Sequence, residues 1–552
     1  MAEPAQNVLY YGDNLDILRR YIPDASVDLV YLDPPFNSNR AYNVIFRDES
    51  GRKSDAQLLA FEDTWHWGPD AEAEYAYLTN TARNEGRVPA NVSAIVGALR
   101  AGLGTNQVTA YLVEMTVRLV ELHRVLKSTG SLYLHCDPTA SHYLKLVLDA
   151  VFGPTRFRSE IAWKRSSAHS DTKQGRRQHG RIHDVLLFYT KSDEWTWNPV
   201  YTPHDEAYVD HFYRMVEPVT GRRYGLWDIT GPGGAAKGNP SYEVMGVTRY
   251  WRYSRQRMDE LIRAGRVVQV RPGAVPREIR YLDESPGVPL QDVWTDVPPV
   301  AAQAKERLGW ETQKPLPLLE RILSSSSNPG DVVLDPFCGC GTALVAAQKL
   351  DRRWIGIDVT YLAIAVMRAR LKDSFGLADV PVIGQPTEVE GARQLAQSPE
   401  GRYQFQWWAL ALVDATPLGG VEKKGADRGI DGIISFTDQH AKVETVLVSV
   451  KSGAVNAAMV RDLRGTLDRE HAAIGLFVTL EEPSAPMRQE ANTAGVYHSE
   501  LWNRDYPRLQ LLTIRELLEG KRPQLPPFVL PTYQRAERVP AKKAAEQAEM
   551  FG

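Results

Sequence analysis

A chain of 552 residues exceeds what one hydrophobic core supports, so two or three domains are expected. Hydrophobic residues at 43%, charged residues at 24% and a net charge of −3 are ordinary for globular protein and exclude a uniformly basic nucleic-acid binder. No apolar run reaches the roughly 18 residues of a membrane span, and Met1-Ala2-Glu3-Pro4 lacks the basic-then-apolar pattern of a signal segment, so a cytoplasmic protein without a membrane partner is expected. Cys136, Cys338 and Cys340 make no disulfide framework, and the last two stand too close for a zinc knuckle.

Val8 to Asp13 reads as a short strand ending in a Gly-Asp turn, followed by a helix from Asn14 to about Tyr21. Val27 to Phe36, Val-Asp-Leu-Val-Tyr-Leu-Asp-Pro-Pro-Phe, begins as an apolar β-branched run typical of a buried parallel strand. Two prolines then force the chain out of the sheet. A carboxylate (Asp33), a proline carbonyl (Pro34), Pro35 and an aromatic ring (Phe36) are thereby delivered to a strand's carboxyl end, where open α/β sheets bind ligands.

From Val108 the residues Leu112, Met115, Leu119, Leu122 and Leu126 recur at helical spacing, Gly130 is expected to stop that helix, and Ser131 to Cys136 is the next strand. Asp184 to Tyr189 is a further candidate strand. The middle third is locally basic. Arg156 to Lys191 holds nine Lys/Arg against three acids, and Arg222 to Arg280 twelve against five, with Trp163, Tyr250, Trp251 and Tyr253 interleaved as candidate stacking residues. Patterning resumes at Thr312-Gln313-Lys314-Pro315, with a helix over about 316–325.

Asp331 to Thr342 reads as strand, glycine turn and helix start, with Gly339 and Gly341 permitting close approach of a ligand. Asp358 ends the next strand about twenty residues on, an offset that suits a carboxylate accepting from ribose hydroxyls. A nicotinamide oxidoreductase is the competing reading. It is weakened because Leu344 stands where the dinucleotide fingerprint needs its third glycine.

Taken together, these residues resemble the amino-methylating DNA methyltransferases. Asp33-Pro34-Pro35-Phe36 looks like their catalytic motif, and Asp335, Pro336, Phe337, Gly339, Gly341 and Thr342 like the loop that binds S-adenosylmethionine. Asp358 looks like the ribose acid, Lys314 belongs to a segment closing over the methionine end, and Asp13 resembles the residue at the cofactor's adenine ring. With the catalytic motif first, the order resembles the β class. The resemblance implies a Rossmann-like α/β methyltransferase with an inserted target-recognition region, acting on DNA. Aspartate at the head of the motif resembles adenine-N6 members, and cytosine-N4 methylation is the alternative. Asp33 and the Pro34 carbonyl would bind both amino protons of a flipped base, Phe36 would stack on it, and Tyr42 and Phe46 are further candidates to cover it.

After a Pro/Gly-rich stretch, Gly425 to Ile434 and Val446 to Lys451 resemble the Mrr-like branch of restriction-endonuclease-like domains. Asp431 matches the magnesium ligand and Lys451 the catalytic lysine, but Ser449 stands where an acidic or amide residue is usual, and Glu470 is the nearest substitute. Cleavage with Mg2+ and DNA binding without cleavage both remain open. The expected organisation is 1–150 catalytic part, 151–310 recognition region with 179–191 returning to the sheet, 311–375 cofactor part, 376–401 linker, 402–520 nuclease-like domain and 521–552 tail. A restriction-modification setting is expected, and a homodimer is left open.

Overall fold

The computed structural model describes residues 7–35, 41–47, 53–62, 65–166, 177, 179–301, 303–310, 312–418, 429–439, 442–527, 529–530 and 536–539; for 41–47 and 53–62 it describes the backbone alone. Phe36 therefore lies outside the described residues, and so do the side chains of Tyr42 and Phe46.

A nine-stranded sheet carries the first body. In chain order its strands are β1 (Val8–Tyr11), β2 (Val27–Leu32), β3 (Leu126–Cys136), β4 (Phe157–Lys164), β5 (His183–Thr190), β6 (Val293–Trp294), β7 (Val332–Asp335), β8 (Arg353–Asp358) and β9 (Val382–Ile383). They lie in the order β6-β4-β5-β3-β2-β7-β8-β1-β9. From β3 to β9 the pairing is parallel, whereas β5 runs antiparallel to both β3 and β4. All six residues of β2 are buried, because helices cover both faces of a parallel sheet. The helices that matter below are α1 (Asn14–Tyr21), α2 (Gln107–Val125), α3 (Ser141–Phe152), α4 (Leu316–Ser326), α5 (Thr342–Lys349) and α6 (Tyr361–Phe375).

Three expectations change. Leu126 begins β3 instead of ending a helix, and Gly130 lies inside that strand. A Cβ there would sit 3.1 Å from the Asp28 carbonyl oxygen, so the glycine serves close strand approach, not helix termination. The recognition region expected over 151–310 gives β4 and β6 to the sheet as well as β5, which the expected return of 179–191 already placed there, leaving Pro199–Gln291 as a separate compact unit. The linker expected over 376–401 contains β9, which pairs with β1, and a helix over Val389–Leu395. Gly384, at φ +93°, makes the turn out of β9 where a Cβ would meet the Tyr11 carbonyl at 2.2 Å.

The Pro199–Gln291 unit is built on a four-stranded antiparallel sheet and a small core of Ile229, Val244, Trp251, Met258, Leu261 and Val267. Its basic surface is narrower than the charge count implies, since Arg222 and Arg266 pair with Asp283 and Glu284. Trp251 is core, with its indole N–H donating to the Tyr242 carbonyl at 2.8 Å. Trp163, in β4, is buried and donates to the Val297 carbonyl. Of the four aromatics expected to stack on nucleic acid, Tyr250 is the most exposed, at 42%.

The C-terminal body holds a five-stranded sheet ordered β10 (Thr416–Pro417), β11 (Gly432–Thr437), β12 (Val443–Lys451), β13 (Ile474–Thr479) and β14 (Leu509–Thr513). The helix before it, α7 (Pro399–Leu412), lies against α6: the Tyr361 amide donates to the Gln404 side-chain oxygen at 3.1 Å, and the Tyr361 and Trp408 rings lie 6.4 Å apart. At the other end of α6, Ser374 donates to the Glu537 carbonyl and Val539 to the Ser374 carbonyl.

Candidate active site

One cavity of about 290 Å³ lies across the carboxyl ends of β1, β2, β7 and β8. Asp33, Pro35, Lys314, Asp335, Gly339 and Asp358 all line it, together with Asp13, Pro336, Phe337 and Thr342. Pro34, which is buried, and Gly341 are not part of its wall. The segments that sequence reading singled out as catalytic and ligand-binding, some 300 residues apart, therefore meet because β2 and β7 are neighbours.

The glycine loop is shaped by its backbone. Gly339 and Gly341 have φ +48° and +76°, the Gly341 amide closes a turn onto the Cys338 carbonyl at 2.7 Å, and α5 starts there. Beneath the loop, the buried Arg370 guanidinium donates to the Cys340 carbonyl and the Thr342 hydroxyl, both at 3.0 Å. Asp358 accepts the Thr360 amide and hydroxyl on Oδ1 and the Gly339 amide on Oδ2, each at 2.9 Å. Burial pushes Asp358 up to about 6, against these hydrogen bonds and one from the Val359 backbone, and holds Asp335 well above the usual carboxylate range. Such acids favour a ligand that brings positive charge.

Asp33 enters the cavity from the end of β2 and forms an ion pair with the Lys314 ammonium; the two side chains are only 15% and 12% exposed. The segment bearing Lys314 is held by Gln313, which accepts from the Leu308 amide and donates to the Glu306 carbonyl. Asp13 caps α1 through Oδ1 and pairs with Arg118 through Oδ2 at 2.9 Å.

Sequence reading missed Tyr31, Arg118, Trp65 and Trp310, which also line the cavity. Arg118 had a signal, since it is a lone cation between Val117 and Leu119 in an otherwise apolar stretch of α2; it is buried and also binds Asn14 and Glu114. Burial and the neighbouring Glu114 push Glu74, beside it, up to about 8. Tyr31 could have been found from strand alternation, because it sits two residues before Asp33 on the same face. Burial raises all three thiols, so none is an activated nucleophile.

In the C-terminal body, Asp431, Ser449 and Lys451 do come together. Asp431 Oδ2 accepts from the Val450 amide at 2.6 Å and the Ser449 hydroxyl at 3.3 Å with Lys451 Nζ at 3.6 Å, while Oδ1 accepts from Gln406 Nε2 at 3.0 Å. Both oxygens are occupied by protein donors. Glu470 pairs with Arg469. Among the described residues no group of three or more His, Cys, Asp or Glu side chains could hold a metal ion.

Residues 27–366 match the model of the N6/N4 DNA methylases. The chain belongs to that family of DNA methylases. Residues 418–519 of this methylase match a second model, described as a NACHT-associated inactive restriction endonuclease. Among curated relatives, the type II methyltransferase M.EcaI of Enterobacter cloacae is 30% identical over 264 residues, covering 47% of this chain and 57% of that protein. The Mod subunit of the type III restriction-modification enzyme StyLTI of Salmonella typhimurium is 25% identical over 364 residues, 63% of this chain and 50% of that protein. The DNA adenine methyltransferase YhdJ of Escherichia coli is 24% identical over 362 residues, 65% and 81%. The methylase thus spans about half the length of the first two relatives. A solved DNA modification methylase of Thermus thermophilus, complexed with S-adenosyl-L-methionine, is 16% identical, covers 69% of this chain and 99% of that one, and superposes with a TM-score of 0.33. No helix among the described residues is long and apolar enough to cross a membrane.

Proposed function

We propose that this methylase transfers a methyl group from S-adenosylmethionine to the exocyclic N6 amine of adenine in DNA. The observation that carries the reading is the shared cavity in which Asp33 meets the Asp335–Gly339 loop and Asp358. The donor set fits the cofactor: the Asp358 carboxylate lines the cavity where a ribose hydroxyl would reach it, the two positive-φ glycines leave room at the loop, and the buried acids suit a cation. When bound, the cofactor supplies an electrophilic sulfonium methyl. The chain's own work is to hold the amine. Its lone pair is delocalised into the ring, and acceptance of an amino proton by Asp33 at the cavity wall favours a pyramidal nitrogen; Pro34, whose carbonyl was expected to take the second proton, lies outside that wall. Lys314 fixes the Asp33 carboxylate through one oxygen and leaves the other to the base. The target amine lies inside the duplex, so the base is flipped out to reach this pocket, where Phe36 is proposed to stack on it. The aspartate at the motif's head and the name of the YhdJ relative support adenine.

The same reading makes the C-terminal body a DNA-contacting module that does not cut, since Gln406 and Ser449 fill the positions around Asp431 that a magnesium ion needs. Incubating plasmid with tritiated cofactor and Mg2+, followed by nucleoside mass spectrometry and gel analysis, tests both statements. N6-methyladenine in uncut plasmid is the expected result. N4-methylcytosine refutes the adenine assignment, absence of methylated nucleosides refutes the function, and cuts abolished by Lys451→Ala refute the inert module.

Cofactor affinity should fall as pH drops. Asp358 is an acid whose folded value is raised to about 6, so below that it takes a proton and loses acceptor strength. One proton lost on binding weakens affinity by up to about tenfold per pH unit. The sign is opposite for stability of the free protein, because protonating Asp358 between about pH 6 and 4 relieves its burial cost. Calorimetry from about pH 8 to about pH 5 reads the affinity, and a flat profile contradicts the assignment.

A further inference from the structure

We infer that His135 is the buried acceptor of the proton the amine must lose, reached from the pocket through the Tyr31 hydroxyl. The inference rests on the proposed amine methylation. Tyr31 lines the cavity along with Asp33, and its oxygen lies 3.0 Å from His135 Nδ1. His135 is fully buried on the adjacent strand β3, and its Nε2 lies 3.3 Å from Asp184 Oδ2 on β5. Arg165 Nε, at the partly exposed end of β4, lies 3.1 Å from the other Asp184 oxygen. The chain thus runs across four neighbouring strands, from β2 at the pocket wall to the end of β4.

The geometry selects a tautomer. Asp184 is an acceptor: burial alone would raise it, yet the hydrogen bond from His135 and the charges of Lys314 and Arg165 hold it below the usual carboxylate range. A carboxylate on Nε2 calls for Nε2–H, which leaves Nδ1 as the acceptor for the Tyr31 hydroxyl. Tyr31 stays a phenol, because burial and the charges of Asp33, Asp335 and Asp184 raise it far above its ordinary value. It can therefore pass a proton but not keep one.

In the reaction, the amine nitrogen forms a bond to the methyl carbon while the sulfur–carbon bond breaks with its electron pair kept on sulfur. The nitrogen is left with one proton too many. That proton moves to the Tyr31 oxygen as the Tyr31 hydroxyl proton moves to His135 Nδ1, giving an imidazolium balanced by Asp184. Once product leaves, the proton returns to solvent along the same path. Asp33 also faces the pocket, but taking the proton would break its pair with Lys314 and release its hold on the amine. The groups facing His135 are Tyr31 from β2, Asp184 from β5, the edge of Trp163 from β4, and through Asp184 the charges of Arg165 and Lys314.

The test uses the full chain with Tyr31→Phe, which removes only the hydroxyl, and His135→Gln, which can keep both hydrogen bonds but cannot take up the proton. Both variants should bind cofactor and DNA as the unaltered protein does, yet slow single-turnover transfer at least about tenfold and lose its solvent deuterium isotope effect. Independently of activity, 15N-histidine NMR of the cofactor-free protein should show one histidine with Nδ1 unprotonated and Nε2 protonated, whose Nδ1 signal moves in Tyr31→Phe. Unaltered rates and isotope effect in Tyr31→Phe overturn the inference, as does an Nδ1-protonated His135. Should His135→Gln fail to fold, Tyr31→Phe and the NMR decide alone. If the unaltered protein yields no methylated amine, the functional reading fails and the inference with it; if it does and Tyr31→Phe is silent, only the proton path falls.

Discussion

Asp33→Ala should abolish methyl transfer, by on the order of a thousandfold or more, while cofactor affinity stays within about threefold of the unaltered protein. The carboxylate is carried by β2 and pairs with Lys314, whereas the loop is held by Arg370, Asp358 and its own turn, so removing Asp33 leaves the loop in place and costs Lys314 its partner. What it removes is an acceptor for the amine, and with it the lone pair's alignment. Asp33→Asn should be almost as damaging, because one of its two side-chain atoms becomes a donor facing Lys314 or the base. Single-turnover transfer from labelled cofactor and calorimetry on the same preparations check this. A large loss of cofactor affinity in Asp33→Ala would show that this carboxylate belongs to the cofactor's half of the cavity.

The second large effect is expected at Gly341. At φ +76° an added Cβ would lie 2.8 Å from Met367 Cγ on α6, so Gly341→Ala meets both a strained backbone and a clash. A loss of about 2 kcal/mol or more in stability is expected, with cofactor affinity down at least about tenfold because the loop carrying Gly339 and Cys340 must shift. Gly376→Ala is the matched control. It has nearly the same φ, +74°, but open space around the Cβ, and it should cost about 1 kcal/mol and leave affinity unchanged. Thermal melts with and without cofactor separate the two; equal behaviour would mean that the Met367 contact relaxes freely.

Much of the catalytic half was legible because its signals are local. The β2 run ending in Asp33-Pro34-Pro35, and the β7 run ending in Asp335 with its two glycines, each state their own strand, turn and ligand-facing end. That the two strands lie side by side was stated by neither segment and is seen only in the pairing of Leu29 with Val333. What stayed hidden depends on partners distant in sequence. Leu126 keeps helical spacing, yet it is taken into β3 by pairing with Val27. Val382 and Ile383 carry too short a signal to mark a strand until β1 offers an edge. Trp251 looks like a stacking residue beside arginines, but a carbonyl for its N–H makes it core. His135 read as one more strand residue, and its neighbours Tyr31 and Asp184 come from strands 104 and 49 residues away.

The grip on α6 from both sides bears on where the molecule can be divided. Its first residue follows the acid proposed to hold the ribose by three positions and leans on α7, while its last turn is stitched to residues 537 and 539. A gene fragment ending at the last methylase motif would strip a tyrosine ring and a helix terminus of their supports. The smallest stable fragment is therefore expected to be longer than the motif map suggests, because the appended body props a helix of the catalytic half.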